Sequence, residues 1–194
     1  FESLWYGEHS HIPVERRTPY PPGGDLPEPY KKMMDPYVSL MAAAAATTRL
    51  KLGTGIALLM ERELFSQAKT IATLDRLSNG RVVIGCGVGW NQEEFENATD
   101  LPFNRRYLAL KETVLAQRAL LTDAEPQFHG ELINFDPVWF EPKATRPGGP
   151  PVTTVTGRPL RRRRRPRVAR ARWRGRRRPC PDGGLDRADA DAPR

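Results

Sequence analysis

An α/β fold built on a parallel sheet is predicted by three features of the 194-residue sequence. Segments of strand and helix character alternate along residues 1–152. The central strand segments are short and almost continuously apolar, as strands covered on both faces are. The helices between them are closed by recognisable capping residues. Alternation leaves two architectures open, a doubly wound sheet and a closed barrel. No internal repeat suggests a solenoid.

The elements follow in order. Ser3 to Tyr6 reads as a strand ending at Gly7-Glu8-His9, and Phe1 reads as the end of a helix–strand junction, so chain before Phe1 is expected. Ser10 to Lys32 is a long, polar, proline-rich segment, and loops of that length in a compact domain are often functional lids. Asp35-Pro36 supplies an N-cap acceptor followed by proline at the first helical position. The helix it opens is expected to run to Thr48 with Val38, Met41, Ala42 and Ala45 on its inner face. Leu50 to Leu58 is a strand, and Glu63 to Leu77 a helix with Phe65, Ala68, Ile71, Ala72 and Leu74 inward. Ser78-Asn79-Gly80 offers a left-handed C-cap. Arg81 to Cys86 is a buried strand, followed by a glycine-rich turn, a helical start at Asn91 to Glu96, and a helix over 104–121. In that last helix Leu108, Val114, Leu115 and Ala119 recur near helical spacing. Phe128 to Phe135 reads as a hairpin-like excursion. Pro142, Pro147, Pro150 and Pro151 then lead towards a further strand that the sequence reading does not find.

Charge divides the chain in two. The sequence holds 31 basic and 23 acidic side chains, a formal net charge of +8. Residues 1–152 carry 16 basic against 19 acidic groups, net −3, whereas residues 153–194 carry 15 against 4, net +11. An anionic partner for the whole chain is therefore not implied. The tail's basic residues are all Arg, with Arg161 to Arg165 unbroken, and its few apolar groups predict disorder. Two readings of it stay open: an arginine-rich arm that binds nucleic-acid phosphates, and a GC-rich gene translated out of frame after about codon 152. No apolar run approaches the roughly 18–20 residues of a membrane span, and no signal-peptide pattern is visible. Cys86 and Cys180 lie far apart and fit a reducing cytoplasm.

Chemistry concentrates at strand ends. Gly85-Cys-Gly-Val-Gly-Trp-Asn91 joins a strand to a helix, and its glycines allow a ligand close to the backbone. The spacing G-x-G-x-G departs from the dinucleotide fingerprint G-x-G-x-x-G, and Lys111 and Glu112, where its acid would fall, lie within a helix. A tight turn without a ligand is the alternative. Glu8, His9 and His11 follow the first strand, and a histidine there can act as general acid or base near neutral pH. A locally hydrogen-bonded loop histidine is the competing reading. Metal binding is not expected, because no third ligand cluster accompanies His9 and His11. His129 is expected to face solvent, and Cys86 to be a small buried residue.

Four segments occur in one order: Trp5-Tyr-Gly-Glu-His-Ser-His-Ile-Pro13, Leu52-Gly-Thr-Gly-Ile56, Leu74-Asp-Arg-Leu-Ser-Asn-Gly-Arg-Val-Val-Ile-Gly-Cys-Gly-Val-Gly-Trp-Asn91 and Phe128-His-Gly-Glu131. Together they resemble the bacterial luciferase-like monooxygenase family, most closely its coenzyme F420-dependent oxidoreductases. The resemblance covers residues 1–152. It implies a (β/α)₈ (TIM) barrel with its site at the C-terminal strand ends; such a barrel typically needs about 250 residues, so the barrel here is incomplete. It implies His9 as acid or base beside the deazaflavin ring, with Glu8 assisting. Gly55 and Ile56 match the place where relatives carry a bulge and a non-proline cis peptide under the ring. Gly87, Val88, Gly89, Trp90 and Asn91 match the turn lining the cofactor pocket. The implied activity is hydride transfer between F420 and a small organic substrate, with FMN-dependent monooxygenation as the alternative. A homodimer is implied for the full-length family, with no membrane partner.

Overall fold

The computed structural model describes residues 1–154; the arginine-rich tail and the expectations placed on it lie outside the described residues. A four-stranded parallel sheet forms the frame, in the order β1 (Ser3–Tyr6), β2 (Lys51–Ala57), β3 (Val82–Cys86) and β6 (Val152–Thr154). Four helices connect or follow these strands: α1 (Pro36–Ala46), α2 (Leu64–Leu77), α3 (Gln92–Ala98) and α4 (Arg106–Thr122). Two short strands, β4 (Phe128–His129) and β5 (Asn134–Phe135), pair antiparallel as the predicted excursion. The strand missing from the sequence reading is β6. It is three residues long, follows Pro150-Pro151 and pairs Ile84 with Val152, so no alternating pattern announces it. The boundary drawn at Val152 falls inside it.

The caps form as their chemistry dictates. The Asp35 carboxylate accepts the Tyr37 and Val38 N–H groups at 2.9 Å and starts α1. Asn79 and Gly80 both take positive φ (56° and 76°), which ends α2 and turns the chain into β3. Leu52, Val82 and Ile84 enter the core with Leu40, Ile71, Ala72, Val114 and Leu120 from the helices. On the sheet's other face the Trp5 ring covers Gly53, where a Cβ would stand 2.2 Å from it.

Two helix faces differ from expectation. In α1 the inward residues are Tyr37, Leu40 and Ala44, while Val38 is 71 % exposed. An alanine-rich helix has no polar stripe to fix its rotation, so its single leucine and tyrosine decide it. In α4 the buried set is Ala109, Leu110, Val114, Ala116, Leu120 and Leu121, with Leu115 exposed. Polar Glu112, Thr113 and Gln117 are buried alongside, because α4 packs on both α2 and the β4–β5 loop. Phe65, expected inside α2, lies at its margin against Phe135.

Two of the four sequence segments owe much of their composition to architecture. In Leu74–Asn91, the Asp75 carboxylate accepts the Thr145 N–H at 2.8 Å. The Arg81 guanidinium donates to the carbonyls of Ala44, Leu50 and Ser78, tying the ends of α1 and α2 to the start of β2. In Phe128–Glu131, Gly130 leaves room for Glu112, whose carboxylate accepts three successive N–H groups, Glu131 to Ile133, at 2.8–3.0 Å. Burial opposes ionisation there, and the three donors override it, so the Glu112 carboxyl lies below its ordinary range.

Candidate active site

The carboxyl ends of β1, β2 and β3 enclose a cleft of about 330 Å³. That volume is in the range of small-molecule and cofactor sites, roughly 300–1,000 Å³. β1 and β3 contribute through the bends that terminate them, and β2 through its own last residues. After β1 come Gly7, Glu8 and His9; after β3 come Gly87, Val88, Gly89 and Trp90. β2 supplies Gly55 and Ile56, whose connecting peptide is cis, within a register shift between Thr54 and Ala57. Below them the strands touch: Thr54 Oγ1 donates to the Gly85 carbonyl at 2.8 Å, and a Cβ on Gly85 would stand 2.3 Å from the Thr54 oxygen. A side chain at Gly85 would push β2 and β3 apart.

Eight of the nine residues singled out in the sequence line this cleft: Glu8, His9, Gly55, Ile56, Gly87, Val88, Gly89 and Trp90. Asn91 does not. It is fully buried and serves as N-cap of α3, its Oδ1 accepting the Glu94 N–H at 3.3 Å. A residue that closes a strand–helix turn is occupied by the helix end it caps.

Glu8 and His9 are neighbours in sequence but have separate partners. The Glu8 carboxylate is buried, accepts the Leu58 N–H at 2.7 Å and pairs with Arg62 at 2.5 Å. Arg62 in turn reaches Asp35 at 2.6 Å. Glu8 therefore holds the β2 exit against β1, and its oxygens are engaged away from His9. The imidazole pairs instead with Glu94 of α3, Nδ1 to Oε2 at 2.6 Å. A carboxylate can only accept, so the proton sits on Nδ1 and Nε2 is left for a ligand. Tyr30 and Trp90 flank the ring at centroid distances of 5.3 and 6.1 Å.

Glu94 is the functional residue that sequence reasoning missed. Asn91-Gln-Glu-Glu94 has capping-box spacing, in which the last carboxylate would turn back to the cap's N–H. Here Glu94 reaches to His9 instead, and its other oxygen is buried without a partner among the described residues. Glu61, in the turn after β2, was also unread. Burial, followed by the nearby Glu94 and Glu8 charges, pushes its carboxyl up to about 8. Cys86 is buried beneath the turn, and burial raises its thiol to about 11.

The predicted lid crosses above. Glu93 Oε1 accepts the N–H groups of Arg17 and Thr18 at 2.8 and 3.2 Å, and the Arg16 guanidinium lies over Trp90 at 5.8 Å. Hydrogen bonding from this loop, Thr18 foremost, holds the Glu93 carboxyl down to about 2.

A parallel β/α sheet with strands in sequential order, a cleft at the strand ends, a bulged second strand and a glycine turn after the third is the arrangement of a TIM-type barrel, with four strands among the described residues. The chain belongs to the luciferase-like monooxygenase family, whose model matches residues 1–165. By its description that family is one of monooxygenases, a class of oxidoreductase. Among curated relatives, it is 42% identical over 160 residues to the uncharacterized protein Rv0953c of Mycobacterium tuberculosis, covering 81% of this chain and 56% of that one. It is 31% identical over 101 residues to the 5,10-methylenetetrahydromethanopterin reductase of Methanolobus tindarius, covering 52% and 30%. The chain thus spans about half the length, or less, of these relatives. The coenzyme F420-dependent tetrahydromethanopterin reductase of Methanopyrus kandleri shares the fold, with a TM-score of 0.59, 22% identity and coverage of 79% and 42%.

Proposed function

We propose that the cleft holds the flat ring of coenzyme F420 and that the protein transfers hydride between this cofactor and a small organic substrate. The observation that carries the reading is the His9–Glu94 pair beside a glycine-walled cleft over the Gly55–Ile56 bulge. The residues present suit a planar, largely apolar ring. Ile56 and Val88 offer apolar walls, while the glycines let main chain approach closely. When bound, F420 accepts or donates a hydride at its deazaflavin ring. His9 Nε2 handles the accompanying proton, Glu94 fixes the ring's tautomer and balances the imidazolium, and Tyr30 and Trp90 limit water around it. Support for the cofactor comes from the family resemblance and from the F420-dependent fold neighbour.

The test is a fluorescence titration of the full chain with F420 and, separately, with FMN. Saturable change in deazaflavin emission, weakened at least tenfold by Ile56→Glu, is the expected result. Binding of FMN alone would replace this reading with the flavin-dependent monooxygenase of the same family.

A further inference from the structure

Arg16 is a cation at the cleft that no carboxylate claims. Arg62 is committed to Glu8 and Asp35, and Arg17 to Glu93. Arg16 forms neither an ion pair nor a side-chain hydrogen bond among the described residues. Its place is nonetheless fixed. The next two N–H groups of the chain, those of Arg17 and Thr18, are held by Glu93 Oε1, and the Thr18 hydroxyl accepts the Gln92 N–H at 3.3 Å. The half-buried Arg16 guanidinium then lies 5.8 Å from the centre of the Trp90 ring. A guanidinium stacked on an indole keeps its N–H edge free, and that edge suits a carboxylate through two parallel hydrogen bonds. On its other side Arg16 borders the hollow of the lid with Asp25, Glu28 and Lys31. Glu28 is held there by Lys31 and Lys32 at 2.8 and 3.6 Å, and Asp25 makes no ion pair with Arg16.

Trp90 connects this cation to His9. The imidazole stands 6.1 Å from the same indole, so the two groups are separated by no more than that ring and a contact on either side. Tyr20 and Tyr30 continue the wall. Tyr20 meets Trp90 at 5.8 Å and Tyr30 at 5.4 Å, and Tyr30 meets His9 at 5.3 Å. We infer that Arg16 is a specificity-determining residue, the receptor for a carboxylate on the substrate, and that the substrate is a small organic acid with a flat or apolar body. The inference rests on the reading of His9 as the proton-handling residue. A substrate with its carboxylate in the Arg16 fork lays its body along the aromatic wall and brings its reacting end to His9. A neutral analogue leaves the fork without an acceptor and loses that orientation. Arg17, one residue on, does not share the role, because its side chain is 90 % exposed and its guanidinium faces Glu93.

Benzoate and benzamide, which share a ring and differ in charge, are the probes. Each is titrated at constant ionic strength into the full chain labelled with ¹⁵N-tryptophan, and Trp90→Phe identifies the Trp90 signal among the four indoles. Benzoate should shift that signal saturably and bind at least about tenfold more tightly than benzamide. Arg16→Gln should bring the two probes to equal affinity, while Arg17→Gln keeps the preference. Equal binding of both probes by the wild type, no shift of Trp90 with benzoate, or a preference that survives Arg16→Gln overturns the proposal. The first two results are read on the wild type and do not depend on how a variant folds. Titrating Arg16→Gln with F420 separates the two sources of an anion. Unchanged affinity supports the substrate role, and a loss of about tenfold assigns Arg16 to the cofactor's phosphate-bearing tail and overturns it. A wild-type chain that prefers benzoate but does not bind F420 would retire the cofactor reading and leave Arg16 in its role.

Discussion

Replacing Glu61 with glutamine should stabilise the chain, by an amount that depends on pH in a defined way. The carboxyl titrates near 4.5 when unfolded and at about 8 in the fold, where burial dominates and Glu94 and Glu8 add repulsion. A folded-state value above the unfolded one means the native state binds the proton more tightly. Its favourable contribution is complete below pH 4.5 and is lost progressively as pH rises towards 8. At pH 7 the gap is about 2.5 units, and at 1.36 kcal/mol per unit the loss is about 3 kcal/mol. Glutamine mimics the neutral acid at every pH and removes that loss. Urea denaturation of wild type and Glu61→Gln at pH 4, 5, 6, 7 and 8 measures the difference. It should be near zero at pH 4 and grow in favour of the variant to about 3 kcal/mol at pH 7, with unchanged m. A difference that stays flat with pH would refute the argument, because it would make the effect one of packing.

Other parts of the structure make their own predictions. Glu93, held down to about 2, grips the lid; that contribution is present above pH 4.5 and lost as pH falls through about 2. Glu93→Gln should free the loop at neutral pH, read as a shift in Trp90 fluorescence and faster proteolysis between Ser10 and Lys32. Gly85→Ala brings a Cβ to 2.3 Å from the Thr54 oxygen and should destabilise by about 2–3 kcal/mol or more in thermal unfolding. Gly23→Ala, with nothing within 4 Å of the new Cβ, should cost only about 1 kcal/mol for its positive φ. In a Cys180→Ser background, buried Cys86 should not react with a thiol reagent at pH 8 until denaturant is added.

The frame was legible where a residue's local chemistry decides its own conformation. Asp35-Pro36 and Asn79-Gly80 mark α1 and α2 because a cap acts on the two or three residues beside it. The continuous apolar runs at β2 and β3 reveal burial on both faces without any knowledge of partners. Features set by the rest of the molecule were not legible. The three residues of β6 are a strand only because β3 offers an unpaired edge. The rotation of α1 depends on where Tyr37 and Leu40 meet the core, which five consecutive alanines do not disclose. At the site, the glycines and His9 stood out because few roles need those residue types at strand ends. Glu94 and Glu61 did not, since a glutamate in a helix or in a turn between elements reads as solvated. Only the fold shows that one lies 2.6 Å from an imidazole 85 positions away and that the other is enclosed.

The hold of Glu93 on the lid has a consequence for how such a protein can diversify. Its carboxylate binds the main-chain N–H groups of Arg17 and Thr18, which nearly every amino acid possesses. Around Thr18, whose hydroxyl also accepts the Gln92 N–H at 3.3 Å, the loop can therefore be rewritten residue by residue and remain moored at the same point. Substitutions at Arg16 or Tyr20 would reshape the entrance beside Trp90 without disturbing the histidine–carboxylate pair beneath. What the cleft admits and what it does to its guest are thus encoded in segments free to evolve apart.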